Sequence, residues 1–150
     1  MASHYDGTVE ETNTLNAFIK LMRATESVNH RLSRHLSEAD LTISQFGVLE
    51  GLLHLGHRNQ KEIGEKLLKS GGNITLVIDN LEKRGFVVRK KDSNDRRALI
   101  ISLTVQGKSF IEDFFPLHLS KINEEFSVLT EKEKSELGRI CKKLGKSIQK

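Results

Sequence analysis

The chain has 150 residues, of which 29% are charged and 37% hydrophobic, a balance that excludes a disordered tail and suits one core or a small domain with an oligomerisation arm. Lys and Arg number 24 against 20 Asp and Glu, a net charge of +4, too mild a bias to identify a polyanion partner by itself. A single cysteine, Cys141, excludes an intrachain disulfide, and with no leader-like start and no membrane-length apolar run the expected location is the cytoplasm.

Residues 1–7 carry no periodic signal. Leu15, Phe18, Ile19, Met22, Val28, Leu32 and Leu36 then recur at helical spacing, predicting a helix from about Thr12 to about Glu38. Thr42 and Gln45 match a capping box, in which hydroxyl and amide reciprocally satisfy free backbone N–H groups. They open a second helix with Phe46, Leu49, Leu52 and Leu53 inward, ended by Gly56. Asn59 and Glu62 open a third, with Ile63, Leu67 and Leu68 inward. Ser70-Gly71-Gly72 is read as a turn. A fourth helix follows from about Asn73 to Arg84, with Ile74, Val77, Ile78 and Leu81 facing inward and Gly85 just past its end.

The period then changes. Phe86–Arg89 and Leu99–Leu103 are strand-like runs, joined by a polar segment whose Asp92-Ser93-Asn94-Asp95 supplies turn chemistry. A long helix starts at Thr104 and passes Pro116, where a kink is expected. Thr130 and Glu133 open the last helix, with Leu137, Ile140, Cys141, Leu144 and Ile148 along one stripe. The order predicts a mainly α fold with a small β-hairpin, a winged helix-turn-helix lobe with a helical arm. The outer helices carry apolar stripes with no partner inside so small a lobe, and a second copy of the chain is the simplest partner.

The third helix, the glycine turn and the fourth helix match a helix-turn-helix, whose second helix enters the DNA major groove. With Ile74, Val77, Ile78 and Leu81 turned to the core, Asn73, Thr75, Leu76 and Lys83 remain for the outer and end faces. Asn73 suits an adenine edge, and Thr75 or Leu76 a thymine methyl or a phosphate. Ser70 and the N–H groups near Gly71 and Gly72 suit a phosphate. The same residues also suit a plain helix-start cluster. From Lys83 to Arg97 there are seven basic residues (Lys83, Arg84, Arg89, Lys90, Lys91, Arg96 and Arg97) against Asp92 and Asp95. An arginine at this hairpin can enter a narrow minor groove, with Asp95 holding its guanidinium; the bland alternative is a solvated charged turn.

Leu81-Glu82-Lys83-Arg84-Gly85-Phe86-Val87, Asp92-Ser93-Asn94-Asp95-Arg96-Arg97 and Leu103-Thr104-Val105-Gln106-Gly107 together resemble the MarR family of bacterial regulators, and Leu41-Thr42 with Gln45-Phe46 resembles that family's second-helix start. The resemblance spans essentially the whole chain as one MarR-type domain. It implies dimerisation helices over 10–40 and 104–150 and a DNA-binding lobe over 41–103. It also implies a homodimer on a pseudo-palindromic double-stranded operator, with repression relieved by a small molecule or by oxidation. The DNA-contacting set is then Ser70, Gly72, Asn73, Thr75, Leu76, Lys83, Lys91, Asp95, Arg96 and Arg97.

In the family, ligands lodge where the first, second and fifth helices meet. The matching aromatic and polar residues are Phe18, Phe46, Glu50, Phe114 and His118, suited to a small phenolic or quinone-like ligand; the alternative is that the rings are core and His118 a satisfied polar edge. The sequence, including Lys69–Thr75, is similar to the quinone-responsive branch. Many relatives carry a reactive cysteine near the N-terminus; here Cys141 lies on the last stripe, which favours an inert buried thiol over a redox switch. Glu50, His54 and His57, with His30 and His35, lie at helical spacings but form no metal-binding motif. No cofactor is implied. No nucleophile with a paired base or phosphate-cradling loop supports an enzyme. A helical protein-binding adaptor is the other class, and Asp95-Arg96-Arg97 argues against it.

Overall fold

A computed structural model describes residues 4–66 and 73–146. The expectations for Leu67, Leu68, Ser70, Gly71, Gly72 and Ile148 lie outside those residues. Helix α1 (Val9–Glu38) starts three residues before the apolar period suggests. Thr8 Oγ1 accepts from the Glu11 N–H, and the Glu11 carboxylate accepts from the Thr8 N–H. Hydrophobicity could not reveal that first turn, because Val9 is exposed and belongs to no stripe. Asp40, at φ 54°, turns the chain out of α1. Helix α2 (Ile43–Leu55) opens with the expected Thr42–Gln45 box.

A two-residue strand that sequence reading missed, β1 (Arg58–Asn59), leads into α3 (Gln60–Lys66). Asn59 serves both elements: it pairs opposite Ile100 of the sheet, and its Oδ1 accepts from the Glu62 N–H at 2.8 Å. Two residues are too few to show alternation. Helix α4 (Ile74–Lys83) is capped by Asn73 Oδ1, which accepts from the Leu76 N–H. Gly85 follows at φ 76°, a region that suits glycine. Strands β2 (Val87–Lys91) and β3 (Leu99–Leu103) form the hairpin, and the antiparallel order is β1-β3-β2. Strand β2 runs two residues beyond the expected end because Lys90 and Lys91 still pair with Ile100 and Leu99. Helices α5 (Val105–Phe126) and α6 (Glu131–Lys146) complete the described chain. Helix α5 continues through Pro116 as one element. Pro116 and Glu112 are both exposed, so the carbonyl that loses its partner to the proline is open to water.

The core collects one or two side chains from almost every element: Leu49 of α2, Ile63 of α3, Ile78 and Leu81 of α4, Ile101 of β3 and Ile111 of α5 are fully buried. Each contributes about 1.5–3 kcal/mol of burial. Helix α1 adds only its last turn, through Leu36. Of the rest of its stripe, Phe18 and Met22 are exposed within one chain and Leu15, Ile19, Val28 and Leu32 are only partly buried; Leu137, Ile140 and Leu144 of α6 are exposed too.

The joint between hairpin and α5 is tight. Thr104 Oγ1 accepts from the Gly107 N–H and donates to the Gly85 carbonyl, while the Thr104 N–H donates to the Phe86 carbonyl. A methyl group on Gly107 would lie 1.9 Å from the Phe86 carbonyl oxygen. That is backbone against backbone, so no side chain can give way. Gly107→Ala should therefore cost about 1–3 kcal/mol or more, at roughly 2–4 °C of melting temperature per kcal/mol. Gly64→Ala, whose new methyl would stand 3.7 Å from Ile74, an ordinary contact, should melt at or above the unsubstituted protein. Equal melting temperatures for the Gly107 variant and the unsubstituted protein would show that the joint is looser than this packing requires.

Candidate nucleic-acid interface and the helix-junction cluster

The seven basic residues between Lys83 and Arg97 divide into two kinds. Arg84 and Arg89 are structural. The Arg84 guanidinium donates to the Ala39 and Asp40 carbonyls at the end of α1 and stacks over Phe86, 4.7 Å from the ring centre. Arg89 on β2 is 18% exposed and reaches back to α4, with Asp79 Oδ1 at 2.7 Å and Glu82 Oε1 at 3.2 Å. It also donates to the Thr75 carbonyl and to Gln60 Oε1. The basic surface is therefore narrower than the charge run suggests. It consists of Lys83, Lys90, Lys91, Arg96 and Arg97, all exposed.

On α4, Thr75 and Leu76 are exposed at the N-terminal end. Thr75 Oγ1 accepts from the Gln60 amide at 3.3 Å, which ties the reading face to the start of α3. Asn73 is exposed with its side-chain oxygen engaged as the cap, leaving its amide N–H groups to donate outward. Lys83 stands at the other end of the helix, about 13 Å along the axis from Ile74. Ser70 and Gly72 lie outside the described residues.

The wing tip departs from expectation in its wiring. Asp95 Oδ1 accepts from the Arg97 backbone N–H at 3.0 Å, and no ion pair joins the two side chains among the described residues. Aspartate two residues ahead of an amide closes a local side-chain turn, a geometry that competes with the guanidinium for the same oxygen. Asp92 does the same for the Asn94 N–H, and backbone bonds Asp92–Ala98 and Ala98–Asp95 close the loop. Asp95 thus fixes the path of the chain at Arg97 and leaves the guanidinium free to reach outward. Between wing and helix-turn-helix runs a groove of about 410 Å³ lined by Asn59, Gln60, Lys61, Ile74, Asp95 and Arg97.

The second cluster lies where α1, α2 and α5 meet. Phe46, Phe114 and His118 come together as expected: the Phe46 ring centre is 4.5 Å from His118 and 5.9 Å from Phe114. Two expected members do not join. Phe18 is exposed on α1, seventeen residues before the cluster, or about 25 Å along the helix. Glu50 turns to His54, 3.3 Å away, and is half exposed. Helical spacing put both on plausible faces without fixing their height along the axis. Sequence reading also missed two members. His35 stacks on Phe114, and its Nδ1 lies 3.0 Å from the Nδ1 of His118. Phe115 contacts both Phe46 and His54. The position of His35 immediately before the buried Leu36 was the available signal. His118 is 3% exposed. Burial, and then the neighbouring His35, hold its imidazole below the usual histidine range. A turn away, Arg31 of α1 and Glu125 of α5 form an ion pair at 2.7 Å.

A third feature is an apolar groove of about 440 Å³ between α1, the end of α5 and α6, lined among others by Leu21, Val28, Phe126, Leu129, Leu137 and Cys141. Cys141 is exposed within one chain, not buried as its stripe suggested; it lines the open groove between α6 and α1. Among the described residues, no three or more His, Cys, Asp or Glu side chains gather as a metal site, and no helix is long and apolar enough to cross a membrane.

The MarR family model matches residues 41–99, the lobe from α2 to the hairpin. The HTH-type transcriptional regulator MhqR of Bacillus subtilis is 36% identical over 132 residues, covering 88% of this chain and 91% of the relative. Among solved structures, Bordetella bronchiseptica BpsR, whose DNA binding is regulated by 6-hydroxynicotinic acid, superposes with a TM-score of 0.78 at 21% identity, over 96% of this chain and 97% of that one. The organohalide-sensing regulator RdhR in its 2,4-dichlorophenol-bound form gives a TM-score of 0.80 at 16% identity, over 99% of this chain and 89% of that one. With the winged lobe, the Leu-Thr-x-x-Gly joint and a relative of this similarity along nearly its whole length, the chain belongs to the MarR family of DNA-binding transcription regulators and is not an enzyme.

Proposed function

We propose that the chain works as a cytoplasmic homodimeric repressor released from a pseudo-palindromic operator by a small phenolic or quinone-like molecule. The observation that carries the DNA side is that Thr75 and Leu76 on α4 and Arg97 on the wing stand exposed on one lobe, with Arg89 bonding strand to helix behind them. Asn73, Thr75 and Leu76 read base edges in the major groove. Arg97 enters the flanking minor groove. Lys83, Lys91 and Arg96 meet phosphates, and Ser70 and Gly72 complete the phosphate contact ahead of the helix. Arg97→Ala should weaken operator binding roughly 5–150-fold in a fluorescence anisotropy titration, since a groove arginine contributes about 1–3 kcal/mol. Asp95→Ala should weaken it less, by loosening the turn. An Arg97→Ala protein with full operator affinity and unchanged circular dichroism would reduce the wing to a solvated loop.

The dimer reading rests on the uncovered apolar faces of α1 and α6 and the groove between them. A second copy covering them would also bury Cys141. Deleting residues after Thr130 should leave a monomeric or insoluble chain by sedimentation. A soluble truncation that still binds the operator would sink this arrangement.

The effector reading rests on the cluster of Phe46, Phe114 and His118, between a helix of the lobe and two helices of the arm. Two neighbours of the same fold support the chemical class, one bound to 2,4-dichlorophenol and one regulated by 6-hydroxynicotinic acid, and the similarity to MhqR supports the quinone-responsive branch. An imidazole kept neutral by burial can donate to or accept from a ligand oxygen. Glu50 serves at the rim, where its bond to His54 must open, and within one chain Phe18 has no part. Such a ligand releases DNA only if it binds the non-binding lobe spacing more tightly, and a coupling of about 1–3 kcal/mol gives roughly a 5–150-fold loss of operator affinity. Titrating 2,4-dichlorophenol and benzoquinone against the protein–operator complex should show release. Phe46→Ala should abolish it while sparing DNA binding, and Cys141→Ser should leave it intact. A Cys141→Ser protein that no longer responds, beside a Phe46→Ala protein that does, would place control at the thiol.

A further inference from the structure

Two imidazoles whose Nδ1 atoms stand 3.0 Å apart can share one hydrogen but cannot both carry one on those atoms. His35 comes from α1 and His118 from α5, and the rest of the His118 surface is closed by Phe46 of α2 and Phe114 of α5. The bond therefore bridges the two arm helices at the place where each leaves the lobe. Helix α1 ends at the carbonyls held by Arg84, four and five residues after His35. Helix α5 begins at the Thr104–Gly107 joint under the hairpin.

We propose that the His35–His118 pair is a proton-operated latch. With one shared hydrogen it holds α1 and α5 at the operator-binding spacing, and protonation of both rings, which leaves neither Nδ1 able to accept, parts them and releases DNA. This rests on the DNA-binding function and on no small-molecule effector. Two positive imidazoles at this separation, away from water, repel strongly, and the bond between them has lost its acceptor. Among the described residues no carboxylate is ion-paired or hydrogen-bonded to either ring. On α2 the facing group is the Phe46 ring, and one turn on, Glu50 is paired with His54. On α5 it is the Phe114 ring, and one turn towards the C-terminus Lys121 is paired with Glu124. On α1 it is His35 itself, with Arg31 one turn back already bound to Glu125. Arg31 holds the Glu125 carboxyl below the usual carboxylate range, so that second clasp between α1 and α5 stays ionised.

The sign follows from the depressed His118 value. A histidine held neutral in the folded state stabilises the arrangement above its ordinary pKa, and the contribution is lost as pH falls through the lowered folded value. Operator affinity should thus hold steady from about pH 8 to near neutrality and then fall, approaching about tenfold per pH unit for each proton taken up.

The test uses the full-length protein without any aromatic compound, with operator affinity measured by anisotropy from about pH 8 to about pH 5 at fixed salt. His35→Gln keeps a neutral partner for His118 and removes the charge–charge conflict, so its profile should be flat where the wild-type profile falls. The other imidazoles, present in both proteins, supply the common background. The proposal fails if the wild-type profile is flat, or if the His35→Gln profile falls in parallel with it. Should the variant not fold, imidazole resonances of the wild type decide: a His118 ring that titrates at the ordinary histidine value overturns the latch, and one that stays neutral well below it supports it. A flat wild-type profile beside an intact response to 2,4-dichlorophenol would remove the latch and leave the effector reading standing.

Discussion

The DNA-reading geometry depends on one partly desolvated cation. Arg89 sits on a strand of the wing, yet its guanidinium is spent on α4 and α3: two carboxylates, a helix carbonyl and the Gln60 amide. The hairpin and α4 are joined here by polar contacts. A planar fork that meets several acceptors at once fixes relative orientation in a way that a greasy contact does not. Its removal would leave Asp79 and Glu82 facing one another across a half-buried site, a larger penalty than the loss of any exposed ion pair on the outer helices. The charges that reach outward, Arg96 and Arg97, can be long and mobile because the frame beneath them is not.

The same logic recurs where the lobe joins the arm. Arg84 binds the end of α1 through backbone carbonyls, which no rotamer change can withdraw. On the other side Thr104 and Gly107 press α5 onto the Phe86 backbone. Each joint lets a displacement of an arm helix reach the lobe with little loss. Between them lies the Phe46–Phe114–His118–His35 cluster, where α2 meets α1 and α5 through ring contacts and a single imidazole bond links α1 to α5.

What was legible in the sequence was local. The capping boxes at Thr42 and Thr130 could be read directly because both partners lie within four residues. Period alone found Ile78 and Leu81 on α4 and Leu49 and Leu52 on α2, but it missed Val48 of α2, which is fully buried, while Phe46 and Leu53 are only partly so. The hairpin followed from its change of period, though its ladder ran on to Lys91. What was not legible depended on partners far along the chain. Arg84 and Arg89 looked like any other members of a basic run, since their acceptors lie up to forty-five residues away. His35 looked like a candidate metal ligand, and only its 3.0 Å approach to His118 gives it another role. Phe18 was drawn into the cluster by a stripe that continues for several turns past the junction. The expected Asp95–guanidinium contact did not form: the Asp95 oxygen serves a backbone amide two residues on, a bond that side-chain chemistry alone would not favour over the guanidinium.

The closed state of the junction constrains how the proposed ligand or the proposed protonation acts there. His118 and Phe114 are buried with rings in contact, so a ligand or a second proton must first part groups that already satisfy one another. The binding-competent arrangement is then a minor one, and apparent affinity falls by the fraction of time it is populated. That cost is also what makes the site able to signal. A cleft standing open in both lobe spacings would bind tightly and shift nothing, because only a difference in affinity between two states moves their balance. A junction that is well packed in one spacing and parted in the other supplies that difference from its own packing.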